Sequence, residues 1–184
     1  MITFIIIWSI WFISELLLNI FFHSANNIDD QDKGSMRIIW FTIAVSVDLG
    51  IIISIFFKFS LSRLIFLPYA GLFLIIAGMI FRFIAVWTLG KYFTVNVTIK
   101  ENHQIIKVGL YKIIRHPSYL GSLVSFIGFG ISLNNWISLI LIIVPITIAF
   151  IHRIEIEERL LLKQFGLEYS EYIKKTYRLV PNIY

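Results

Sequence analysis

The sequence contains no cysteine, which excludes disulfide bonds, thiolate zinc sites and thiol nucleophiles together. Charged residues are also scarce: they make up 15% of the chain, whereas hydrophobic residues make up 58%, and the mean hydropathy is +0.84. Soluble domains usually carry about 25% charged and about 45–50% apolar residues. The apolar excess therefore predicts an integral membrane protein, and 184 residues are enough for a single membrane domain.

Positive charge is present only in moderation, with a net charge of +5. No basic stripe with interleaved aromatic residues accompanies it, so nucleic-acid binding is not predicted. Basic loops beside anionic lipid headgroups account better for the charge.

Five apolar runs predict about five transmembrane helices in an all-α fold. The first three runs cover residues 2–22, 38–57 and 64–89, and each is about as long as a helix must be to cross the hydrocarbon core. Residues 119–133 and 136–151 form two further runs, and the turn signal Asn134-Asn135 between them predicts a helical hairpin. The first run lacks the basic start and cleavage site of a signal peptide, so we interpret it as a retained transmembrane helix.

Three charged residues fall within the predicted spans: Glu15, Asp48 and Arg82. Each intramembrane charge costs about 2.5–3.5 kcal/mol on insertion scales, so it should pair or face an aqueous cavity. We expect Arg82 to pair with Asp48. Snorkelling of Arg82 to the nearby helix end is the alternative interpretation.

The distribution of lysine and arginine predicts the orientation. Five spans place residues 23–37, the long connection and the tail on one side of the membrane, together with most of the basic residues. The other side holds only Lys58 and Arg63, so the positive-inside rule puts the basic side in the cytoplasm. The frequent use of Ile, Lys and Asn is typical of an AT-rich microbial genome, and we therefore expect a bacterial or archaeal cell membrane.

A polar and basic stretch, residues 101–121, lies between the apolar runs and reads ENHQIIKVGLYKIIRHPSYLG. Pro117 suits the first turn of a helix and pushes His116 out of the α region, so we expect a helix to begin there. The free N–H groups of such a helix start favour an anion. A basic, aromatic band at the level of the lipid headgroups is the simpler explanation, and the pattern leaves both open.

A second polar cluster, residues 153–158, follows the last apolar run. A continuous helix would put Arg153 and Glu157 one turn apart on one face, either as a solvent-exposed ion pair or as a pair directed at a ligand. The amphipathic pattern continues to Gly166, where we expect the helix to end, and a short helix is predicted over residues 168–176. We predict that the two polar clusters meet at the membrane surface and form one pocket.

Three blocks together resemble the isoprenylcysteine carboxyl methyltransferase family, over roughly residues 96–181. They are HQIIKVGLYKIIRHPSYLG, the Arg153-x-x-x-Glu157 spacing, and FGLEYSEYIKKTYRLVP. The resemblance is to the compact prokaryotic members and implies an integral membrane enzyme that uses S-adenosyl-L-methionine. The implied reaction is methylation of the carboxylate of an isoprenylcysteine, or of a similar lipophilic acid, taken from the bilayer. It also implies one membrane domain over residues 1–184, in which residues 1–89 supply three transmembrane helices and residues 90–184 the catalytic half. The cofactor pocket would then face the cytoplasm, built from the 90–118 connection and the C-terminal helices.

The resemblance also assigns residues to the site. Arg153 falls on the substrate-binding arginine, and the family's cofactor contacts fall on His103, Gln104, Ile105, Ile106, Tyr111, His116, Pro117, Ser118, Tyr119 and Glu157. Glu157 suits the cofactor's ammonium group, His116 its carboxylate, and Arg153 can grip a substrate carboxylate with paired donors. The resemblance thus makes Arg153 and Glu157 the expected catalytic residues. Methyl transfer to a carboxylate requires neither a base nor a metal, so no metal is expected.

Three alternatives stay open at this point. The acceptor could be a phospholipid amine, which Arg153 would serve less well because the amine is neutral or cationic. The chain could also be a non-catalytic membrane protein that binds a lipid or a nucleotide. A relationship to the membrane sterol reductases would instead require a nicotinamide cofactor.

Overall fold

Long apolar helices make up most of the chain in the computed structural model, which describes residues 2–21, 34–93 and 104–181. Two short 3₁₀ turns, Gly90–Tyr92 and Gly109–Lys112, precede the fourth of the six α-helices within these ranges. The α-helices are α1 (Ile2–Phe21), α2 (Ser35–Phe56), α3 (Leu67–Leu89), α4 (Pro117–Ser132), α5 (Trp136–Phe165) and α6 (Leu167–Lys175). The predicted all-α membrane fold is confirmed.

Four of these helices are long and apolar enough to cross a membrane: α1, α2, α3 and α5. The remaining predicted span, α4, has only 16 residues, and most of them are buried among the other helices. Its short length is therefore compatible with the membrane because its neighbours shield it from lipid. The fold thus has four candidate spans and one short, central helix at the predicted hairpin.

Helix α4 lies at the centre of the packing, against both α3 and α5. Helix α2 packs on α5 and α1 packs on α3, so α1 and α2 flank the bundle on different sides. Little packing joins α1 to α2 within the described ranges. This arrangement leaves a gap between the first two helices.

Glycines allow α3 and α4 to approach closely. A Cβ atom at Gly71 would lie 2.5 Å from the carbonyl oxygen of Gly128, and a Cβ atom at Gly128 would lie 2.6 Å from the carbonyl oxygen of Gly71. Small residues commonly line such helix contacts in membranes, where close packing replaces the hydrophobic effect as the main source of association.

The hairpin turn forms at the predicted asparagines. The side chain of Asn135 caps α5 by accepting hydrogen bonds from the backbone N–H groups of Ile137 and Ser138, both at 3.1 Å. The loop after α2 reaches the same turn, where the N–H of Trp136 donates to the carbonyl oxygen of Phe59 at 3.0 Å. The end of the bundle that carries Lys58 and Arg63 is therefore opposite to the start of α4.

Helix α5 extends well beyond its apolar run. It has 30 residues and continues through the 153–158 cluster until Gly166, whose φ of +52° ends it. At 1.5 Å per residue it is about 45 Å long, against about 30 Å for the hydrocarbon core. The predicted continuous helix, its end at Gly166 and the short helix that follows are all confirmed.

Candidate active site

The His116–Pro117 turn forms one wall of the site. His116 caps α4 with φ −123° and ψ 56°, outside the α region as predicted, and Pro117 occupies the first turn of the helix. Only 4% of His116 is exposed, and the helical hydrogen bonds begin with the N–H of Leu120 donating to its carbonyl oxygen at 3.3 Å. The start of α4 thus holds the imidazole in a fixed place beside α5.

Two neighbouring glutamates of α5 contact this turn. The Oε1 atom of Glu157 lies 3.8 Å from Nδ1 of His116, and Oε1 of Glu158 lies 3.3 Å from its Nε2. The hydroxyl of Tyr119 donates to Oε2 of Glu157 at 3.1 Å. The entry of α4 and the acidic part of α5 therefore meet, as the sequence predicted.

Glu158 is a buried residue that forms ion pairs with two arginines, and the sequence did not predict these pairs. Its side chain is 6% exposed, and its carboxylate lies 2.8 Å from Nε of Arg115 and 2.7 Å from Nη2 of Arg178. A carboxylate at this depth needs such partners to offset its lost hydration. The one available signal was the pair of adjacent glutamates, since Arg115 and Arg178 are far apart in the chain.

The C-terminal residues close over the same turn. The N–H groups of Arg115 and His116 donate to the carbonyl oxygens of Tyr177 and Arg178 at 2.8 and 3.2 Å, and the N–H of Tyr177 donates back to Ile113 at 2.9 Å. Leu179, which is 3% exposed, packs into the main hydrophobic core. This C-terminal clasp, residues 177–179, fixes the backbone that carries His116.

Arg153 lies one turn before Glu157 on α5 and is only 1% exposed. Its Nη1 atom donates to the hydroxyl of Ser35 at the start of α2. The guanidinium therefore links α5 to α2 at the cytoplasmic end of α2 in the predicted orientation. Both Arg153 and Glu157 border the same cavity.

Arg82 pairs with Glu15, so the predicted pair with Asp48 is wrong. The Nε atom of Arg82 lies 2.9 Å from Oε1 of Glu15, and its Nη1 donates to the hydroxyl of Ser118 at 2.9 Å. The reason lies in the packing: α3 faces α1 and α4, whereas α2, which carries Asp48, packs on α5. Arg82 thereby anchors the first turn of α4.

A cavity of about 430 Å³ joins these groups, within the range of small-molecule sites. One part of its wall is polar and belongs to the start of α4, the 3₁₀ turn Gly109–Lys112 and the C-terminal half of α5. The other part is mainly apolar and comes from α1, α2 and the middle of α4, including Trp11, Ile39, Ile43 and Phe126. A ligand with one polar and one apolar end matches this division.

Three buried tyrosines complete the polar part: Tyr111, Tyr169 and Tyr172. Burial raises the pKa of Tyr172 to about 12, and it also raises the pKa values of Tyr111 and Tyr169 above their ordinary value. All three therefore stay neutral near pH 7. The hydroxyl of Tyr172 donates to the backbone carbonyl of Tyr111 at 2.6 Å, which ties α6 to the 3₁₀ turn.

The predicted site residues mostly surround this cavity. Those that line it are Gln104, Ile105, Ile106, Tyr111, His116, Ser118, Tyr119, Arg153 and Glu157. Pro117 is fully buried in the turn and does not line the cavity, and His103 lies outside the described residues. The roles of these residues stay predictions.

Sequence reasoning left Glu15, Arg82, Tyr169 and Tyr172 out of the site, although all four line the cavity. Within the described ranges, no cluster of three histidine or carboxylate side chains could hold a metal ion.

Comparison with known proteins gives a consistent result. A family model described as the isoprenylcysteine carboxyl methyltransferase family matches residues 70–163. The chain is 34% identical over 170 residues to protein-S-isoprenylcysteine O-methyltransferase B of Arabidopsis thaliana, covering 91% of this chain and 86% of the relative. It is 38% identical over 115 residues to the Saccharomyces cerevisiae protein-S-isoprenylcysteine O-methyltransferase, covering 61% of this chain and 48% of the relative.

A solved structure has a similar fold. It is the eukaryotic intramembrane Ras methyltransferase ICMT, with a TM-score of 0.67 and 31% sequence identity, covering 78% of this chain and 52% of that one. The chain spans 63% of the length of a probable protein-S-isoprenylcysteine O-methyltransferase from Oryza sativa, to which it is 35% identical over 64% of its own length. Several relatives are therefore longer than this chain.

Proposed function

The chain belongs to the isoprenylcysteine carboxyl methyltransferase family, and we propose that it transfers a methyl group from S-adenosyl-L-methionine to the carboxylate of an isoprenylcysteine or a similar lipophilic acid. The observation that carries this proposal is the meeting of His116, Tyr119 and Glu157 at the polar end of a cavity whose other end is apolar. The relatives named above are methyltransferases of this kind, which supports the same activity here.

The polar part of the cavity fits the cofactor. S-adenosyl-L-methionine supplies an electrophilic methyl group on a sulfonium centre. The carboxylate of Glu157, whose side chain is 30% exposed, provides a site for an ammonium group. The start of α4 favours a carboxylate, because its free N–H groups and helix dipole attract negative charge. The faces of the neutral tyrosines suit a cationic group.

Arg153 is the residue that we propose to bind the acceptor's carboxylate. It lines the cavity beside the start of α2, and a guanidinium can hold a carboxylate with two parallel hydrogen bonds. Its hydrogen bond to Ser35 orients the side chain before a ligand arrives. The hydrophobic chain of the acceptor would then lie along α2, where Ile39 and Ile43 line the cavity.

The gap between α1 and α2 supports entry of the acceptor from the lipid. Both helices line the cavity, yet they pack little on each other within the described ranges. A lipid-linked substrate could therefore reach Arg153 without leaving the bilayer. In this scheme residues 1–89 provide the α1 and α2 part of the apolar wall for the acceptor, and residues 90–184 provide Arg153 and the groups that face the cofactor.

Orientation of the two reactants is the contribution that this site can make to the reaction. A carboxylate acceptor is already ionised, so no residue has to remove a proton. Fixing two reactants in a buried site converts a bimolecular step into an effectively unimolecular one. The buried network around His116 and Glu158 holds this wall rigid, and the charge asymmetry of the loops supports a site that faces the cytoplasm.

The test combines binding and turnover with the full chain in liposomes. Calorimetry with S-adenosyl-L-methionine and with NADPH should show binding of the first alone. Transfer of a radiolabelled methyl group to N-acetyl-S-farnesyl-L-cysteine should give a product that releases its label in alkali, because a methyl ester hydrolyses and an N-methyl group does not.

Three results would contradict the proposal. Binding of NADPH alone would indicate a reductase. Alkali-stable label on phosphatidylethanolamine, with none on the cysteine derivative, would indicate a phospholipid N-methyltransferase. Absence of binding to either cofactor would favour the alternative that the chain is a non-catalytic membrane protein.

A further inference from the structure

Asp48 is the one intramembrane charge for which the described residues offer no ion-pair or hydrogen-bond partner. The other two, Glu15 and Arg82, neutralise each other at 2.9 Å. Ionisable residues inside a membrane are costly and usually face a cavity or mark a ligand pathway. Asp48 fits that description, because it is an exposed residue that lines the cavity bordered by α1 and α2.

The position of Asp48 along α2 defines the far end of the apolar wall. Helix α2 lines the cavity on one continuous face over residues 36–48, and Asp48 is the only charged residue of that face. Ser35, which accepts the hydrogen bond from Arg153, begins the helix. At 1.5 Å per residue, Asp48 lies about 20 Å along the 22-residue helix from Ser35, beyond its midpoint.

Opposite charges therefore stand at the two ends of an apolar track. Arg153 is beside the start of α2, which is the cytoplasmic end in the predicted orientation, and Asp48 lies past the middle of α2, with Ile39, Ile43 and Val47 between them. A fully extended S-farnesylcysteine also measures about 20 Å from its carboxyl carbon to its last carbon, by ordinary bond lengths. A purely hydrocarbon tail of that length would reach Asp48 and offer its carboxyl group no hydrogen bond.

We propose that Asp48 forms a second polar subsite and selects lipophilic acids whose tail ends in a hydrogen-bond donor, a hydroxyl or an amine. This inference rests on the proposed function, because it takes Arg153 as the group that binds the acceptor's carboxylate. Asp48 touches the tail and not the reacting atoms, so it determines specificity and has no part in the methyl transfer itself.

The experiment compares three acceptors in the same liposome preparation. They are N-acetyl-S-farnesyl-L-cysteine and two analogues that carry a hydroxyl or a primary amine on the last farnesyl carbon. The measured quantity is the ratio of kcat/KM for each analogue to kcat/KM for the plain compound. In the native protein we expect this ratio to be about ten or more, as for one hydrogen bond to a charged group.

Two variants of Asp48 and one control make the test specific. Asp48→Leu should reduce both ratios to one or below, because the plain tail then meets an apolar end wall. Asp48→Asn should keep a preference for the hydroxyl and lose that for the amine, which separates the two donors. Leu49→Ala changes the adjacent α2 residue, which is 46% exposed and does not line the cavity, and it should leave both ratios unchanged.

The ratio does not depend on how much of a variant folds, because all acceptors meet the same active protein. A native ratio near one, or an unchanged ratio in Asp48→Leu, would overturn the subsite while leaving the methyltransferase proposal intact. Absence of turnover with every acceptor would count against the proposed function instead. Equilibrium binding of the same three compounds then gives the corresponding affinity ratio, and equal affinities in the native protein and in Asp48→Leu would also overturn the subsite.

Discussion

Glu157 and Glu158 are neighbours in sequence, yet their carboxylates have different surroundings. Glu157 has a 30% exposed side chain that borders the cavity, where it contacts Tyr119, whereas Glu158 is 6% exposed and lies between Arg115 and Arg178. Both approach His116, through Nδ1 and Nε2 respectively. One glutamate is therefore available to a ligand, and the other holds the wall of the site together.

Replacing Glu157 should weaken cofactor binding. Glu157→Gln keeps the shape of the side chain but removes its charge, so we expect the Kd for S-adenosyl-L-methionine to rise about 10-fold or more. Calorimetry in detergent measures this change. Glu155→Gln is the matched control, because Glu155 is exposed on the same helix and should bind the cofactor as the native protein does. Native affinity in Glu157→Gln would remove Glu157 from the cofactor site.

Replacing Arg153 should affect the acceptor and spare the cofactor. Arg153→Lys keeps the charge but loses the paired donors, so the KM for N-acetyl-S-farnesyl-L-cysteine should rise while cofactor affinity stays nearly native. Ser35→Ala measures the contribution of the Ser35–Arg153 hydrogen bond alone, since it removes the hydroxyl that accepts from Arg153 and leaves the guanidinium in place. If Arg153→Lys loses cofactor affinity and keeps its KM, the assigned roles are reversed.

Replacing Glu158 should mainly reduce stability. Glu158→Gln leaves Arg115 and Arg178 facing a neutral group, and losing one partner of a buried ion pair costs on the order of 3 kcal/mol. The thermal midpoint in detergent should fall clearly. Glu168→Gln breaks the exposed pair with Lys107 and should change stability by less than about 1 kcal/mol. Equal midpoints for the two variants would show that Glu158 is not a structural centre.

Replacing Gly128 should disrupt the bundle. In Gly128→Val the new Cβ atom would meet the backbone of α3 at 2.6–2.7 Å, which forces the two helices apart. We expect little folded protein on size-exclusion chromatography in detergent. Gly34→Ala, where no atom of the described residues lies within 4 Å of the added carbon, should elute like the native protein. Native elution of Gly128→Val would mean that α3 and α4 tolerate a wider separation.

Local features of the sequence predicted the elements well. Pro117 set the start of α4, Asn135 set the start of α5 and Gly166 set its end, because each of these residues restricts or caps its own backbone. The meeting of the two polar clusters followed from the hairpin, which returns to the side of the membrane where it began, and from their shared family motifs. These conclusions needed no knowledge of how the other helices pack.

The errors and omissions concern contacts between helices distant in sequence. Arg82 could have paired with Glu15 or Asp48, and only the placement of α1 against α3 decides for Glu15. The partners of Glu158 were equally hidden, since Arg178 reaches it from the far end of the chain. The predicted bacterial or archaeal source also stays a prediction, and the relatives compared above are eukaryotic.

The clasp formed by residues 177–179 has a consequence for biosynthesis. Those residues follow all six described helices in the sequence and are synthesised after them, yet they supply the backbone partners of Arg115 and His116 and an arginine for Glu158. Until residues 177–179 have been synthesised, the nascent chain cannot complete this wall. Completion of the wall around His116 therefore comes after synthesis of the six described helices.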